Sequence, residues 1–203
     1  MTSPAPIRNV VFDIGWVLVR LNYQPLLGFL AAHGAPVHDR ESVMSRIPLA
    51  EHETGRLPGR ALLESLAALT RTPVSLEDTL AKWLDMFELD AAMVDLAHAL
   101  SERYRVFLLS NIGDLHWTHL AREYRLHAIG HGALPSYVAG IMKPHAGIYR
   151  EAERRFALAP AATVFIDDRA DNVAGATGCG WHGIVHAHHG ATRAGLRALG
   201  VSC

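Results

Sequence analysis

Residues 10–13, Val-Val-Phe-Asp, set a carboxylate directly behind a continuous apolar, β-prone run, and Gly15 follows two positions later. A run that is apolar at consecutive rather than alternate positions needs cover on both faces, which is the condition of a strand inside a parallel sheet with helices on each side. Asp13 then stands at the carboxyl end of that strand, the edge where open α/β sheets bind their ligands. An Asp in such a place also serves as a plain turn residue, so the rest of the chain has to decide.

The same pattern recurs downstream. Tyr-Arg-Val-Phe-Leu-Leu-Ser at 104–110 ends in a small polar residue, and Thr-Val-Phe-Ile at 163–166 runs into the pair Asp167 and Asp168. Trp181 to Val185 reads as a last strand, with a short extended segment near 133–138. Helical periodicity fills the intervals at 91–100, 114–124, 144–158, 169–178 and the C-terminal stretch. Strands separated by single helices imply right-handed crossovers and a parallel sheet.

Between Tyr23 and about His98 the apolar residues instead recur at helical spacing, with hardly a strand-like run among them. Leu26, Leu27, Phe29 and Leu30 belong to one expected helix, Leu62, Leu63, Leu66 and Leu69 to another, and Leu80, Trp83, Leu84 and Phe87 to a third. Ser75 with Asp78 supplies a capping-box-like start. The expected architecture is therefore α/β: a Rossmann-like doubly wound parallel sheet formed by residues 1–19 and 96–203, with a small α-helical cap domain, residues 20–95, inserted after the first strand.

With 203 residues, half of them hydrophobic, the chain is long enough for one substantial core and a small accessory unit. A net charge of -1 gives no bulk attraction to nucleic acid or to an anionic membrane. No window approaches the ~20 apolar residues of a membrane span, and the opening Met-Thr-Ser-Pro-Ala-Pro has no leader-like pattern. Cys179 and Cys203 suggest no disulfide framework. The expectation is a cytoplasmic protein, and nothing in the sequence sets its oligomeric state. Of thirteen histidines, His182, His186, His188 and His189 lack zinc-ligand spacing and read as a solvated strand end. His116 and His119, i,i+3 on a helix, are expected at its surface.

The polar groups at the strand ends converge on one sheet edge: Asp13, Ser110 with Asn111, and Asp167 with Asp168, joined by Lys143 at a helix entrance. Clustered acids repel unless a cation compensates. Mg²⁺ suits such a place, since it prefers hard oxygens and takes one or two carboxylates together with substrate phosphate.

The segments FDIGWVL (12–18), LLSNIG (108–113), GIMKP (140–144) and FIDDRADN (165–172) resemble, in order and spacing, the four signature motifs of the haloacid dehalogenase superfamily of hydrolases. The likeness covers nearly the whole chain and is greatest to the small sugar-phosphate phosphatases of that superfamily. It implies that Asp13 is a nucleophile forming an aspartyl-phosphate. Mg²⁺ would be held by Asp13, the Gly15 backbone carbonyl and Asp168, with Asp167 and Asn172 behind them. Lys143, Ser110 and the backbone amide of Asn111 would bind the phosphate of a small phosphorylated metabolite.

One departure bears on the chemistry. Typical phosphatases of the superfamily carry a second Asp, the acid and base, where this chain has Gly15. A general acid contributes typically 10²–10⁴-fold, so the sequence points to a leaving group that needs little protonation, such as that of an anomeric sugar phosphate. Gly15 also leaves open a 2-haloacid dehalogenase-like reaction, because halide departs without a proton, and a catalytically silent fold used for binding or regulation. Trp16 is expected near the site opening, and Glu51, His52, Glu53 and Arg56 at an inter-helix turn are the candidate specificity residues.

Overall fold

The computed structural model describes residues 5–203. Residues 1–4, which include most of the N-terminal stretch discussed above, lie outside the described residues. In chain order the elements are β1 (Asn9–Phe12), β2 (Val19–Leu21), α1 (Gln24–Ala32), α2 (Arg40–Met44), α3 (Leu49–Glu53), α4 (Gly59–Ala67), α5 (Leu76–Leu84), β3 (Phe87–Leu89) and α6 (Ala91–Ser101). They continue with β4 (Arg105–Ser110), α7 (Asp114–Glu123), β5 (Ala133–Pro135), α8 (Ser136–Ala139), α9 (Ala146–Phe156), β6 (Thr163–Asp167), α10 (Ala170–Gly178), β7 (His182–Val185) and α11 (His189–Ala198).

Five strands form one parallel sheet in the order β5-β4-β1-β6-β7. β1 lies in the middle, with Phe12 level with Leu108 on one side and Ile166 on the other. This register lines up the carboxyl ends of β1, β4 and β6. The chain leaves β1 for β4 and β5, then returns across β1 to β6 and β7, so strand order reverses where Asp13 stands.

The consecutive apolar residues of the strands divide between two cores. Val10, Phe12, Val106, Leu108, Val164 and Ile166 pack with Met93 and Leu100 of α6, Leu120 of α7 and Leu196 of α11. Val11, Phe107, Leu109 and Phe165 point the other way, against Ile148 and Tyr149 of α9 and Ala176 of α10. At about 1.5–3 kcal/mol for each fully buried large apolar side chain, both faces contribute, which is why the middles of these strands are apolar at consecutive positions.

Helices α1 to α5 gather around a third core that includes Leu26, Leu30, Leu62, Leu66 and Trp83. Ser75 caps α5 through the Asp78 amide, 2.9 Å from its hydroxyl. The segment is not wholly helical, however. β2 and β3 pair antiparallel, Val19 with Leu89 and Leu21 with Phe87, so Phe87 belongs to a strand rather than to the helix its spacing suggested. Each strand is three residues long, and the two lie far apart in sequence, so neither signals itself without its partner. Bonds from the Asn22 amide to the Met86 carbonyl and from the Asp90 amide to the Leu18 carbonyl extend the ribbon. Both chain crossings between the helical segment and the sheet thus run through one two-stranded ribbon.

Candidate active site

Asp13, Ser110 and Asp167 are delivered by the aligned ends of β1, β4 and β6, loops add Asn111, Lys143 and Asp168, and the first turn of α10 adds Asn172. Lys143, only 4% exposed, is the centre of the arrangement. Its Nζ lies 2.8 Å from Asp13 Oδ1 and 2.6 Å from Asp167 Oδ2, and it donates to the Leu109 carbonyl at 3.1 Å. Three acceptors match the three donors of the ammonium.

The backbone of Lys143 is held by the Asn111 side chain. Asn111 Oδ1 accepts from the Lys143 amide at 2.8 Å, and Asn111 Nδ2 donates to the Lys143 carbonyl at 3.0 Å. Asp167, fully buried, accepts from both sides: Asn172 Nδ2 reaches its two oxygens at 3.0 and 3.1 Å, and the Arg169 amide donates to Oδ1 at 2.8 Å. Asn172 is anchored in turn by Tyr149, whose hydroxyl donates to the Asn172 carbonyl at 2.6 Å. Asp13 accepts from the Ile14 amide at 2.7 Å.

One carboxylate oxygen from each of Asp13, Asp167 and Asp168 lies within 4.8 Å of the others. Burial, opposed by Lys143 and reinforced by Asp167, pushes the Asp13 carboxyl up to about 6. Asp168 is also raised, by burial and then by Asp167. A single ammonium therefore undercompensates three clustered acids, and a hard divalent cation fits the oxygen donors that remain.

Above these groups opens a cleft of about 450 Å³. Its walls include Trp16, Tyr23, Arg40, Glu53, Trp83 and His116. Trp16 is 49% exposed and adopts a left-handed backbone, φ 59°, at the turn after β1. Of the four residues expected at an inter-helix turn, Glu51, His52 and Glu53 instead form the end of α3 and only Arg56 lies in the turn before α4; of the four, Glu53 alone lines this cleft. Glu51 and Arg56 are exposed, while His52 is buried behind the wall, its Nε2 3.6 Å from Asp114 Oδ1.

His116 is not a surface residue. Its ring stacks on Trp83 at 4.4 Å between centroids, and Nε2 lies 3.1 Å from the Trp83 carbonyl. Burial pulls its pKa down to about 3, which keeps the imidazole neutral. Tyr23 and Arg40 also escaped the sequence reading. The Arg40 guanidinium lies 5.4 Å from the Tyr23 ring centroid, a pairing between the start of α2 and the residue before α1 that neither segment signals alone. Among the described residues the histidines near β7 form no metal cluster with Cys, Asp or Glu, and no helix is long and apolar enough to cross a membrane.

A family model described as a haloacid dehalogenase-like hydrolase matches residues 7–180. Among solved structures, a HAD family enzyme of Bacteroides thetaiotaomicron, crystallised as the wild-type protein with magnesium and inorganic phosphate, is 23% identical. It aligns with a TM-score of 0.78 over 89% of this chain and 94% of its own. A predicted HAD-like hydrolase of Porphyromonas gingivalis is 29% identical, with a TM-score of 0.76 over 89% of this chain and 91% of its own. A 2-haloacid dehalogenase of Pseudomonas syringae pv. Tomato is 20% identical, with a TM-score of 0.58 over 87% and 85%.

Proposed function

The chain belongs to the haloacid dehalogenase-like hydrolases, and we propose that within this family it is a Mg²⁺-dependent phosphomonoesterase acting on small phosphorylated metabolites through Asp13. The observation that carries this reading is the trio of acids around Lys143, with carboxylate oxygens from Asp13, Asp167 and Asp168 inside 4.8 Å. A halide departs as a stable anion, whereas attack by a carboxylate on a doubly charged ester calls for a cation beside the nucleophile.

In this reading Asp13, Asp168 and the Gly15 carbonyl would hold Mg²⁺, which would supply the positive charge that offsets phosphate and carboxylates. The magnesium and phosphate in the Bacteroides structure are ligands of the kind proposed. Asp13 attacks phosphorus, forming an aspartyl-phosphate that water later opens, so one hard displacement becomes two easier ones. Lys143 lowers the repulsion between the incoming dianion and Asp13. Ser110 and the Asn111 amide donate to the phosphoryl oxygens, while Asp167 and Asn172 keep the ammonium in place. Residues 20–95 act as a cap that closes over a core made of residues 1–19 and 96–203, excluding bulk water from the reaction.

Gly15 favours one competing reading, displacement of halide from a 2-haloacid. Phosphate release and halide release, each measured with Mg²⁺ and with chelator, separate the two. Phosphate release that chelator abolishes supports the proposal. Halide release indifferent to chelator contradicts it.

A further inference from the structure

An ester oxygen departs as an alkoxide unless a proton reaches it during bond cleavage, and Gly15 brings no side chain to the position nearest the nucleophile. The acids lining the cleft are Asp13, Glu53, Asp168 and Asp171. Asp13 attacks phosphorus, and Asp168 belongs to the oxygen cluster. Asp171 is bridged by the Arg169 guanidinium at 3.1 and 2.6 Å, which holds its pKa below the usual range. His116 is neutral, and the Lys143 donors are committed to Leu109, Asp13 and Asp167. Only Glu53 is left.

We propose that Glu53 is the acid and base of this site, protonating the leaving oxygen and then deprotonating water. The inference rests on the phosphomonoesterase reading and deepens it by admitting esters with poor leaving groups, such as alkyl and non-anomeric sugar phosphates.

The position of Glu53 is tied to the sheet edge. Its backbone carbonyl accepts from Ser136 Oγ at 2.5 Å, and the same hydroxyl oxygen accepts from the Ile112 amide at 2.9 Å. Ser136 is fully buried directly after β5. On one side of Glu53, the His52 ring fills the space above Gly113, where a Cβ would overlap it. On the other, Gly55 passes so close to the Tyr137 carbonyl that a Cβ has no room. Glu53 is thereby fastened to the segments that follow β4 and β5, at the end of the sheet where Asp13 stands.

The charges around Glu53 come from three other segments of the chain. Arg40 of α2 and Lys143 favour the carboxylate, Asp13 opposes it, and burial outweighs all three, pushing the carboxyl up to about 7. An acid poised near the working pH serves best in both directions of proton transfer.

In the first step an Asp13 oxygen bonds to phosphorus while the P–O bond to the alcohol breaks. The leaving oxygen keeps the bonding pair and takes the Glu53 proton, so an alcohol departs and Glu53 is a carboxylate. In the second step Glu53 takes a proton from water as the water oxygen bonds to phosphorus. The Asp13–phosphorus bond breaks with its electron pair returning to Asp13, which releases inorganic phosphate and restores both side chains.

The test compares p-nitrophenyl phosphate, whose phenolate needs little protonation, with glycerol phosphate, whose alkoxide needs it, using wild type and Glu53→Gln in Mg²⁺. The expected result is a loss in kcat of about 10²-fold or more on glycerol phosphate and a much smaller loss on the aryl ester. The wild-type decline in alkyl-ester rate as pH rises past about 7 should vanish in the variant. Equal losses on both esters, or none, overturn the proposal. If wild type releases phosphate from neither ester, the phosphomonoesterase reading itself fails. Carboxyl infrared difference spectra of wild type minus Glu53→Gln need no turnover: a protonated-carboxyl band persisting to about pH 7 supports the assignment, and a band lost by pH 5 overturns it.

Discussion

The Lys143 ammonium and the Asp13 carboxylate, both buried, stand 2.8 Å apart, and the same ammonium pairs with Asp167 at 2.6 Å. Removing the cation strands two buried carboxylates. Lys143→Met should therefore cost about 3–5 kcal/mol of stability as well as activity, whereas an exposed pair such as Arg60–Glu64 should cost less than about 1 kcal/mol when broken. Urea unfolding of both variants checks the contrast, and equal costs would contradict it.

Asp13 makes the metal-free protein sensitive to pH in an unusual direction. Its carboxyl is raised from 3.8 to about 6 in the folded chain, so between those values the native state binds more protons than the unfolded state. Stability from this group falls as pH rises through that window, because burial penalises the charge. Denaturation in chelator from pH 4 to 7 should show this decline in wild type and a flatter profile in Asp13→Asn. Identical profiles would be evidence against it.

Asn172 spends its amide on both oxygens of Asp167. Asn172→Ala leaves those buried acceptors short of donors and should destabilise by about 1–3 kcal/mol. Under the proposed metal site it should also weaken Mg²⁺ affinity about 10–100-fold by loosening the neighbouring carboxylates. Calorimetric Mg²⁺ titration checks this, and unchanged affinity would separate Asn172 from the metal site.

Gly55 has φ +71° and no space for a Cβ beside the Tyr137 carbonyl. Gly55→Ala adds about 1–2 kcal/mol of left-handed strain to that overlap and should lift α3 away from Ser136. Hydrogen exchange should rise across residues 49–58 while the sheet strands stay protected. Unchanged exchange there would contradict the docking role given to this turn.

Much of the sheet and its edge was legible because each strand carries its own signal. The runs ending at Asp13, Ser110 and Asp167 are short, apolar and followed at once by polar residues, and their parallel order follows from the helices between them. The β2–β3 ribbon was not legible, since Val19–Leu21 and Phe87–Leu89 stabilise one another only after folding brings them together. The side of α7 that His116 takes depends likewise on Trp83 from α5. Glu51, His52, Glu53 and Arg56 look equivalent in sequence. Only docking of α3 against Ser136 and Gly113 distinguishes the one facing the cleft from the two at the surface and the one behind.

The central claim is that Asp13 carries the phosphoryl group between substrate and water. Acid quenching of the protein during turnover of a phosphomonoester in Mg²⁺, followed by peptide mass spectrometry, tests it directly. A phosphoryl adduct on Asp13, absent from Asp13→Asn and from samples with chelator, is the predicted result. Turnover with no adduct on Asp13, or with the adduct on another residue, would contradict it.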